Sequence, residues 1–164
     1  MLLNQISKMI SKIPFEFVAI ESDGVHIIFE ALISKHSCRM LIDTGASRTV
    51  FDQNRIDRFI SEPELTENEQ LSTGLGTNNM RSHIISIPSL IIGDLHLTNY
   101  VSVVIDMSHI NESFNNYGLK PIDGVLGGDI LAEYKAEIDY RKKEFRLRVP
   151  IKMSNLNKKS ELGK

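Results

Sequence analysis

Apolar residues recur at every second position between residues 25 and 33, at Val25, Ile27, Phe29, Ala31 and Ile33. This period is typical of a β-strand with one buried face. The polar residues 35–37 separate this run from the apolar residues 40–42. The pattern therefore predicts a β-hairpin whose second strand ends at Asp43.

The rest of the chain is also rich in strand patterns. Two further strands are predicted at residues 81–92 and 101–105, and a closing hairpin at residues 138–149. Short helices are predicted at residues 54–60 and 130–134, with Asp129 as the N-cap of the second. The polar residues 106–121 predict a long loop. We therefore expect a mainly β fold with one or two short helices.

The length of 164 residues predicts a single domain. We place this domain at residues 25–150, after an N-terminal extension at residues 1–24. The polar tail at residues 151–164 is expected to be disordered. The pattern of the first dozen residues leaves three alternatives open: a helix that packs on the domain, a strand that acts as a dimer arm, or a disordered leader.

Composition excludes several classes of protein. The 19 basic and 21 acidic residues are interspersed and give a net charge of −2, which argues against nucleic-acid binding and against a membrane-surface helix. No apolar segment is long enough to span a membrane, and the N-terminus lacks the apolar core of a signal peptide. The single cysteine, Cys38, excludes an intramolecular disulfide and is interpreted as a core residue. We therefore expect a cytoplasmic protein.

The most informative segment follows the predicted strand at residues 40–42 and reads Asp43-Thr44-Gly45-Ala46-Ser47-Arg48-Thr49-Val50. An acidic residue directly after three apolar strand residues is an unusual strand end. Asp-Thr-Gly alone is weak evidence, because it arises by chance in roughly 3% of chains of this length. The flanking residues are needed to decide what the segment means.

With its flanks, this segment resembles the active-site signature of the retropepsin-like aspartic peptidases. That signature is an apolar run, Asp-Thr/Ser-Gly-Ala/Ser, a small polar residue, a variable position, and then Thr/Ser before an apolar residue. A second family element consists of two apolar residues and a glycine that lead into a short helix. It is similar to Val125, Leu126 and Gly127.

A third and weaker match lies between two predicted strands, at Thr73, Gly74, Leu75, Gly76 and Thr77. It is similar to the glycine-bearing tip of the flap that closes over substrate in this family. The alternative interpretation of this segment is an ordinary turn.

The resemblance implies a retropepsin-like closed β-barrel, which is the single-lobe acid protease fold, and an aspartic endopeptidase that needs no cofactor or metal. It implies that Asp43 is catalytic and that Thr44, Gly45 and Ala46 form the active-site loop, with Thr44 hydrogen-bonded across a dimer axis. It further implies that residues 125–127 support this loop and that residues 73–77 contact the substrate.

The chemistry of such a site requires two carboxyl groups. One carboxylate deprotonates water while one carboxylic acid hydrogen-bonds the substrate carbonyl, and a pair about 3 Å apart supplies both forms because it shares one proton. The chain contains a single Asp-Thr-Gly, and Asp123 is interpreted as a turn or loop carboxylate because no Thr follows it. We therefore expect a homodimer with Asp43 of both subunits on the two-fold axis.

Activity and partners follow from this interpretation. Ala46 stands where the pepsin-like branch usually has Ser, and the missing hydroxyl donor to the charged carboxylate predicts a mildly acidic working pH. The expected partners are a second copy and a peptide or protein substrate. The alternative is a catalytically inactive retropepsin-like module for dimerisation or peptide binding, since fold does not determine function.

Overall fold

The computed structural model describes residues 7–20, 24–67 and 82–151. Within these ranges the chain forms eleven β-strands, two α-helices and one 3₁₀ helix at Ile56–Arg58. The first eight strands are β1 (Lys8–Pro14), β2 (Glu16–Val18), β3 (His26–Ile33), β4 (His36–Ile42), β5 (Val50–Asp52), β6 (Thr66–Glu67), β7 (Ser82–Ile92) and β8 (Leu95–Ile105). The remaining elements are α1 (Ser108–Asn116), β9 (Gly124–Leu126), α2 (Gly128–Glu133), β10 (Glu137–Asp139) and β11 (Glu144–Pro150).

Six strands of the larger sheet close into a barrel. The strand order of this sheet is β2-β3-β4-β9-β5-β8-β7-β6, and an additional pairing of β3 with β7 joins strands that are distant in that order. The resulting ring is β3-β4-β9-β5-β8-β7. Within it, β4 pairs with β9 and β5 pairs with β8 in parallel, whereas the other pairs are antiparallel. The mainly β, closed-barrel prediction is therefore confirmed.

β4 illustrates how the barrel encloses its core. Cys38, Met40 and Ile42 alternate along the strand and are buried among the residues of the main apolar cluster. Full burial of a side chain of the size of Met or Ile contributes about 1.5–3 kcal/mol. Burial also raises the pKa of the Cys38 thiol, and the interpretation of Cys38 as a core residue is confirmed.

The N-terminal segment belongs to the β fold. β1 pairs antiparallel with β11, whose other edge pairs with β10, and this makes a three-stranded sheet. Ile13 of β1 and Phe145 of β11 face the main core. Residues 8–14 are thus neither a helix nor a disordered leader, and the strand that they form pairs within its own chain. The β fold begins before residue 25, where the domain was expected to start. Most of the predicted tail, residues 152–164, lies outside the described residues.

Residues 106–121 do not form the predicted long loop. α1 occupies its centre, and the buried residues Met107, Asn111 and Phe114 are spaced by four and three positions. This spacing places the three residues on one helix face. The helical pattern is hard to recognise in the sequence, because the segment is mostly polar and one of its buried residues is an asparagine. The helix covers a second apolar cluster that includes Ile28, Ile122 and Val125.

The remaining predicted elements are present with shifted bounds. The predicted helix at residues 54–60 is a single 3₁₀ turn, and the second predicted helix begins two residues earlier, at Gly128. β8 begins at Leu95 rather than residue 101, so β7 and β8 form one long hairpin. The closing hairpin is confirmed as β10 and β11. Neither α-helix among the described residues is long and apolar enough to cross a membrane.

The turn between β7 and β8 contacts β1 closely. Gly93 has a φ of +57°, and a Cβ there would lie 2.5 Å from Ser11 Oγ and 2.8 Å from Ile13 Cγ1. The Ser11 hydroxyl accepts a hydrogen bond from the Asp94 N–H at 2.8 Å and donates one to the Asp94 carboxylate at 2.9 Å. These contacts hold β1 against its own barrel.

We expect Gly93→Ala to lower the free energy of unfolding by about 2–3 kcal/mol, because it combines left-handed backbone strain with displacement of β1. Gly118→Ala is the matched control, since Gly118 has a φ of +69° but a Cβ there would meet nothing within 4 Å. The control should lose only about 1 kcal/mol. Urea unfolding measures both, and equal losses would show that the contact with β1 contributes nothing.

Candidate active site

Asp43 directly follows β4, where β4 runs parallel to β9. Its N–H donates to the Leu126 carbonyl at 3.1 Å, which continues the strand pairing one residue past β4. Met40 faces the core, and Leu41 and Asp43 line the same cleft on the outside. Ile42, at the end of the strand, contacts both the main core and the cleft. The alternation of β4 therefore brings the carboxylate to the outer face of the barrel.

The residues after Asp43 form a tight, exposed turn. The Ala46 N–H donates to the Asp43 carbonyl at 3.2 Å, and the Gly45 N–H donates to Asp43 Oδ1 at 2.8 Å. A Cβ on residue 45 would approach that oxygen to 3.2 Å, so glycine permits the close contact. The turn thereby orients the carboxylate while leaving Asp43, Thr44 and Gly45 open to solvent.

The turn rests on the beginning of α2. The Gly128 N–H donates to the Ala46 carbonyl at 2.7 Å, and the Asp129 N–H donates to the Ser47 carbonyl at 3.1 Å. The first N–H groups of a helix have no partner within the helix, so the carbonyls of the loop take the place of a side-chain cap.

Gly127 allows this close approach. A Cβ there would lie 2.4 Å from the carbonyl carbon and oxygen of Arg48, and this contact is with backbone that cannot rotate away. Val125 and Leu126 pair with Leu41 and Ile42, directly before the active-site turn. The structure thus brings residues 125–127 against residues 41–48.

Asp129 is not the predicted N-cap, because the N-cap position is occupied by Gly127. Asp129 Oδ1 instead accepts hydrogen bonds from the N–H and the hydroxyl of Thr49, both at 2.8 Å, and Oδ2 accepts one from the Tyr100 hydroxyl at 2.6 Å. The Thr49 hydroxyl oxygen also accepts the Gly127 N–H at 3.1 Å. Asp129 therefore ties the end of the active-site turn to β8 and α2, a role without any local signal in the sequence.

Asp123 is a loop residue, as interpreted, but it is buried. Its Oδ1 accepts hydrogen bonds from Arg55 Nε and Arg58 Nη1, both at 2.7 Å, and its Oδ2 accepts the Arg39 N–H at 2.8 Å. With 3% of its side chain exposed, this carboxylate is an internal partner of two arginines. It joins the 3₁₀ helix to the segment before β9.

An open cleft of about 670 Å³ adjoins Asp43. Asp43 is the single carboxylate among the described residues that line it. The others come from the approach to β3, from β4, from α1 and from the segment around β9: Ile20, Gly24, His26, Leu41, Ile42, Ile110, Ser113, Phe114, Ile122 and Val125. Most of them are apolar.

A row of apolar side chains also runs from Leu41 across the neighbouring strands of the barrel. Its members are register partners on neighbouring strands, in the order Leu41, Val125, Val50, Val103 and Ile84. Facing residues of paired strands share one face of the sheet, so this row lies on the side of Leu41, outside the main core. Ile84 remains 36% exposed. The middle of the row is covered, since Val125 is 8% and Val103 is 6% exposed. The apolar surface open next to Asp43 is that of the cleft.

The structure does not describe every residue of the predicted site. The predicted flap, Thr73 to Thr77, lies outside the described residues. In the ranges 7–20, 24–67 and 82–151, no group of three or more His, Cys, Asp or Glu side chains is arranged to hold a metal ion. The catalytic role of Asp43 and the roles of the loop residues stay predictions.

A six-stranded barrel that presents an Asp-Thr-Gly turn above a glycine-led helix is the arrangement of an aspartic protease lobe. Residues 29–130 match the family model described as aspartyl protease, a range that includes both Asp43 and Gly127. The chain therefore belongs to the aspartyl protease family. No curated protein sequence matches the chain.

The chain is also similar to solved structures. The chain is similar to a retropepsin-like aspartic protease from Rickettsia conorii, with a TM-score of 0.51 and 17% identity over 92% of this chain and 100% of that one. The retropepsin-like fold is thereby confirmed. The EIAV protease complexed with the inhibitor HBY-793 matches with a TM-score of 0.49 and 20% identity, covering 74% of this chain and 99% of that one. The retroviral protease-like domain of Ddi1 from Leishmania major matches with a TM-score of 0.47 and 14% identity, covering 79% and 96%.

The link between Tyr100 and Asp129 predicts a pH dependence of stability. Burial raises the pKa of Tyr100, and its hydrogen bond to the Asp129 carboxylate raises it further. Because the folded-state pKa lies above the unfolded value of about 10, this contribution is complete below pH 10 and is lost as the pH rises through the folded-state pKa.

We therefore expect the stability difference between the wild type and Tyr100→Phe to shrink between about pH 10 and 12, as measured by urea unfolding. Asp129→Asn should lower the pKa of Tyr100, which absorbance titration of the phenolate detects. A stability difference that stays constant over this pH range would contradict the role assigned to the pair.

Proposed function

We propose that this chain is an aspartic endopeptidase that acts as a homodimer, with water activated between Asp43 of one subunit and Asp43 of the partner subunit. The observation that carries the proposal is the placement of Asp43. Its carboxylate is exposed, oriented by the Gly45 N–H at 2.8 Å, and set at the edge of an apolar cleft. An unpaired acid at such a position suits chemistry on a bound chain better than a structural role.

The need for a second copy follows from the other acids around the site. Asp123 is engaged by two arginines, Asp129 by Thr49 and Tyr100, and the buried Asp52 by Asn111 at 2.8 Å. None of these three carboxylates is free to face Asp43. A two-fold axis beside the turn would supply the missing acid from a chemically identical position, so both halves of the pair would have the same environment.

The proposed reaction uses the single proton that such a pair shares. The ionised Asp43 takes a proton from water as the water oxygen attacks the peptide carbonyl carbon. The protonated Asp43 donates its proton to the carbonyl oxygen, which gives a neutral tetrahedral diol. In the breakdown of the diol, the Asp43 that took up the water proton donates it to the amide nitrogen. The other Asp43 takes a proton from a diol hydroxyl as the carbonyl re-forms and the C–N bond breaks, so the pair again shares one proton.

The surroundings of Asp43 support a peptide with apolar side chains as the substrate. The cleft offers apolar surface that an apolar side chain would remove from water. Extended peptides bind such clefts by strand-like pairing, in which alternate side chains enter pockets.

The alternative function is a binding module that holds peptides without cleaving them. The apolar cleft is the observation that favours it, because apolar burial by itself is sufficient for binding. The intact Asp-Thr-Gly-Ala turn favours the enzyme, since a binding module has no use for two carboxylates that repel each other across a dimer axis.

The first test is peptide cleavage by the wild type and by Asp43→Asn, assayed with a peptide library from about pH 3 to 7. We expect cleavage by the wild type with a mildly acidic optimum, and a loss of about 10³-fold or more in kcat/KM for Asp43→Asn. Asp57→Asn, at an exposed aspartate of the 3₁₀ helix, is the control and should retain activity. Equal turnover by the wild type and Asp43→Asn, or an optimum below about pH 3, would contradict this mechanism. Absence of cleavage by the wild type would favour the binding module.

The second test asks whether the site is shared between subunits. When wild type and Asp43→Asn are mixed in equal amounts and allowed to exchange, only about one quarter of the dimers carry two aspartates. Activity per total protein should therefore fall to about a quarter of that of the wild type at the same concentration, whereas a site complete in each chain would leave a half. Sedimentation of the same samples must show a dimer, because a strict monomer could not assemble the pair.

A further inference from the structure

One wall of the cleft beside Asp43 is a helix. Ile110, Ser113 and Phe114 of α1 line the cleft, while Leu41 and Val125 line it from the barrel. Ser113 and Phe114 follow Ile110 by three and four positions, so the three residues lie on one face of α1. A chain bound at Asp43 would therefore lie next to this face.

α1 is anchored to the barrel by a buried asparagine. Asn111 Nδ2 donates to Asp52 Oδ2 at 2.8 Å and to the Ile122 carbonyl at 3.1 Å, and Asn111 Oδ1 accepts the Ile122 N–H at 2.8 Å. Asn111 is 8% exposed and Asp52 is 2% exposed. Because buried polar groups are costly to leave unpaired, these bonds hold the helix at one distance from β5 and β9. The wall is preorganised rather than free to adapt.

Ile110 is the exposed apolar residue on this wall. The core face of α1 buries Asn111 and Phe114, whereas Ile110 is 40% exposed. Elsewhere on the helix, the side chains of His109 and Glu112 are 101% and 71% exposed. An isoleucine that faces an apolar cleft from a mostly polar helix gains burial when an apolar group enters that cleft.

We propose that α1 determines which substrate side chain is accepted beside Asp43, and that Ile110 sets the size of that side chain. The occupant is a large apolar side chain of an extended peptide, held between Ile110 and the barrel residues Leu41 and Val125. This inference rests on the proposed function, because it assigns a subsite to the same cleft. Asn111 is a positioning residue that acts through the placement of α1.

The test measures peptide binding with Asp43→Asn protein, so that cleavage cannot interfere. The probes are end-blocked octapeptides that differ at one position, which carries Ala, Leu or Phe. Dissociation constants are measured by titration calorimetry for this background alone and with Ile110→Ala, Ile110→Phe or Glu112→Ala added. Glu112→Ala is the matched control, because it alters the same helix on the side away from the cleft.

We expect Ile110→Ala to shift the preference towards the Phe peptide, and Ile110→Phe to shift it towards the Ala peptide, each by about tenfold in the ratio of dissociation constants. Glu112→Ala should leave the ratios unchanged. Urea unfolding verifies that each variant is folded, and Ile110→Val, with a smaller shift in the same direction as Ile110→Ala, replaces any variant that is not. Unchanged ratios in the Ile110 variants, or no detectable binding of any peptide, would overturn the proposal.

The same peptides with Asp43 intact separate this proposal from the proposed function. Shifted binding ratios without any cleavage by the wild type would leave the α1 subsite standing and overturn the endopeptidase. Cleavage by the wild type with a kcat/KM ratio that Ile110 variants do not change would overturn the subsite and leave the endopeptidase standing.

Discussion

The turn after β4 and the first turn of α2 touch through their backbones, although they are about 80 residues apart in the chain. Gly127 lies so close to Arg48 that a Cβ would overlap its carbonyl group, and two N–H groups of α2 donate to carbonyls of the turn. Parallel pairing of β4 with β9 brings the two segments to the same end of the barrel. The position of Asp43 depends on this contact, together with the bond from its own N–H to Leu126 and the bonds from Thr49 to Asp129.

The carboxylates near this contact differ in how far hydrogen-bond donors compensate their charge. Asp123, Asp129 and Asp52 are each surrounded by donors, so their charges are compensated inside the fold. Asp43 has the Gly45 N–H and open solvent. A protein that needed Asp43 only for stability would gain more by surrounding it in the same way, since an exposed carboxylate contributes little to folding. The contrast between the compensated acids and the exposed one at the edge of the cleft supports the proposal that Asp43 is the catalytic acid.

Prediction from the sequence succeeded where the signal is local. The alternation in β3 and β4, the hairpin at β10 and β11, and the glycine before α2 all depend on residues close in the chain. Prediction failed where a partner is distant. The pattern of α1 includes Asn111, which is buried only because Asp52 and Ile122 satisfy it, and β1 is recognisable as a strand only beside β11. Aspartate is a residue type that favours the N-cap position, but the carboxylate of Asp129 accepts hydrogen bonds from Thr49 and Tyr100 instead.

The sequence by itself determined the fold class and singled out Asp43 as the candidate acid, because strand periodicity and the segment Asp43-Thr44-Gly45-Ala46 are properties of neighbouring residues. The tertiary structure decided which carboxylates are compensated, how the cleft is walled and where the N-terminal strand pairs. Each of these depends on groups that are far apart in the chain and meet only when the barrel closes. The spacing of residues in the sequence does not show which distant groups come into contact. In the folded chain these contacts are stabilised by burial and by the need of buried polar groups for hydrogen-bond partners.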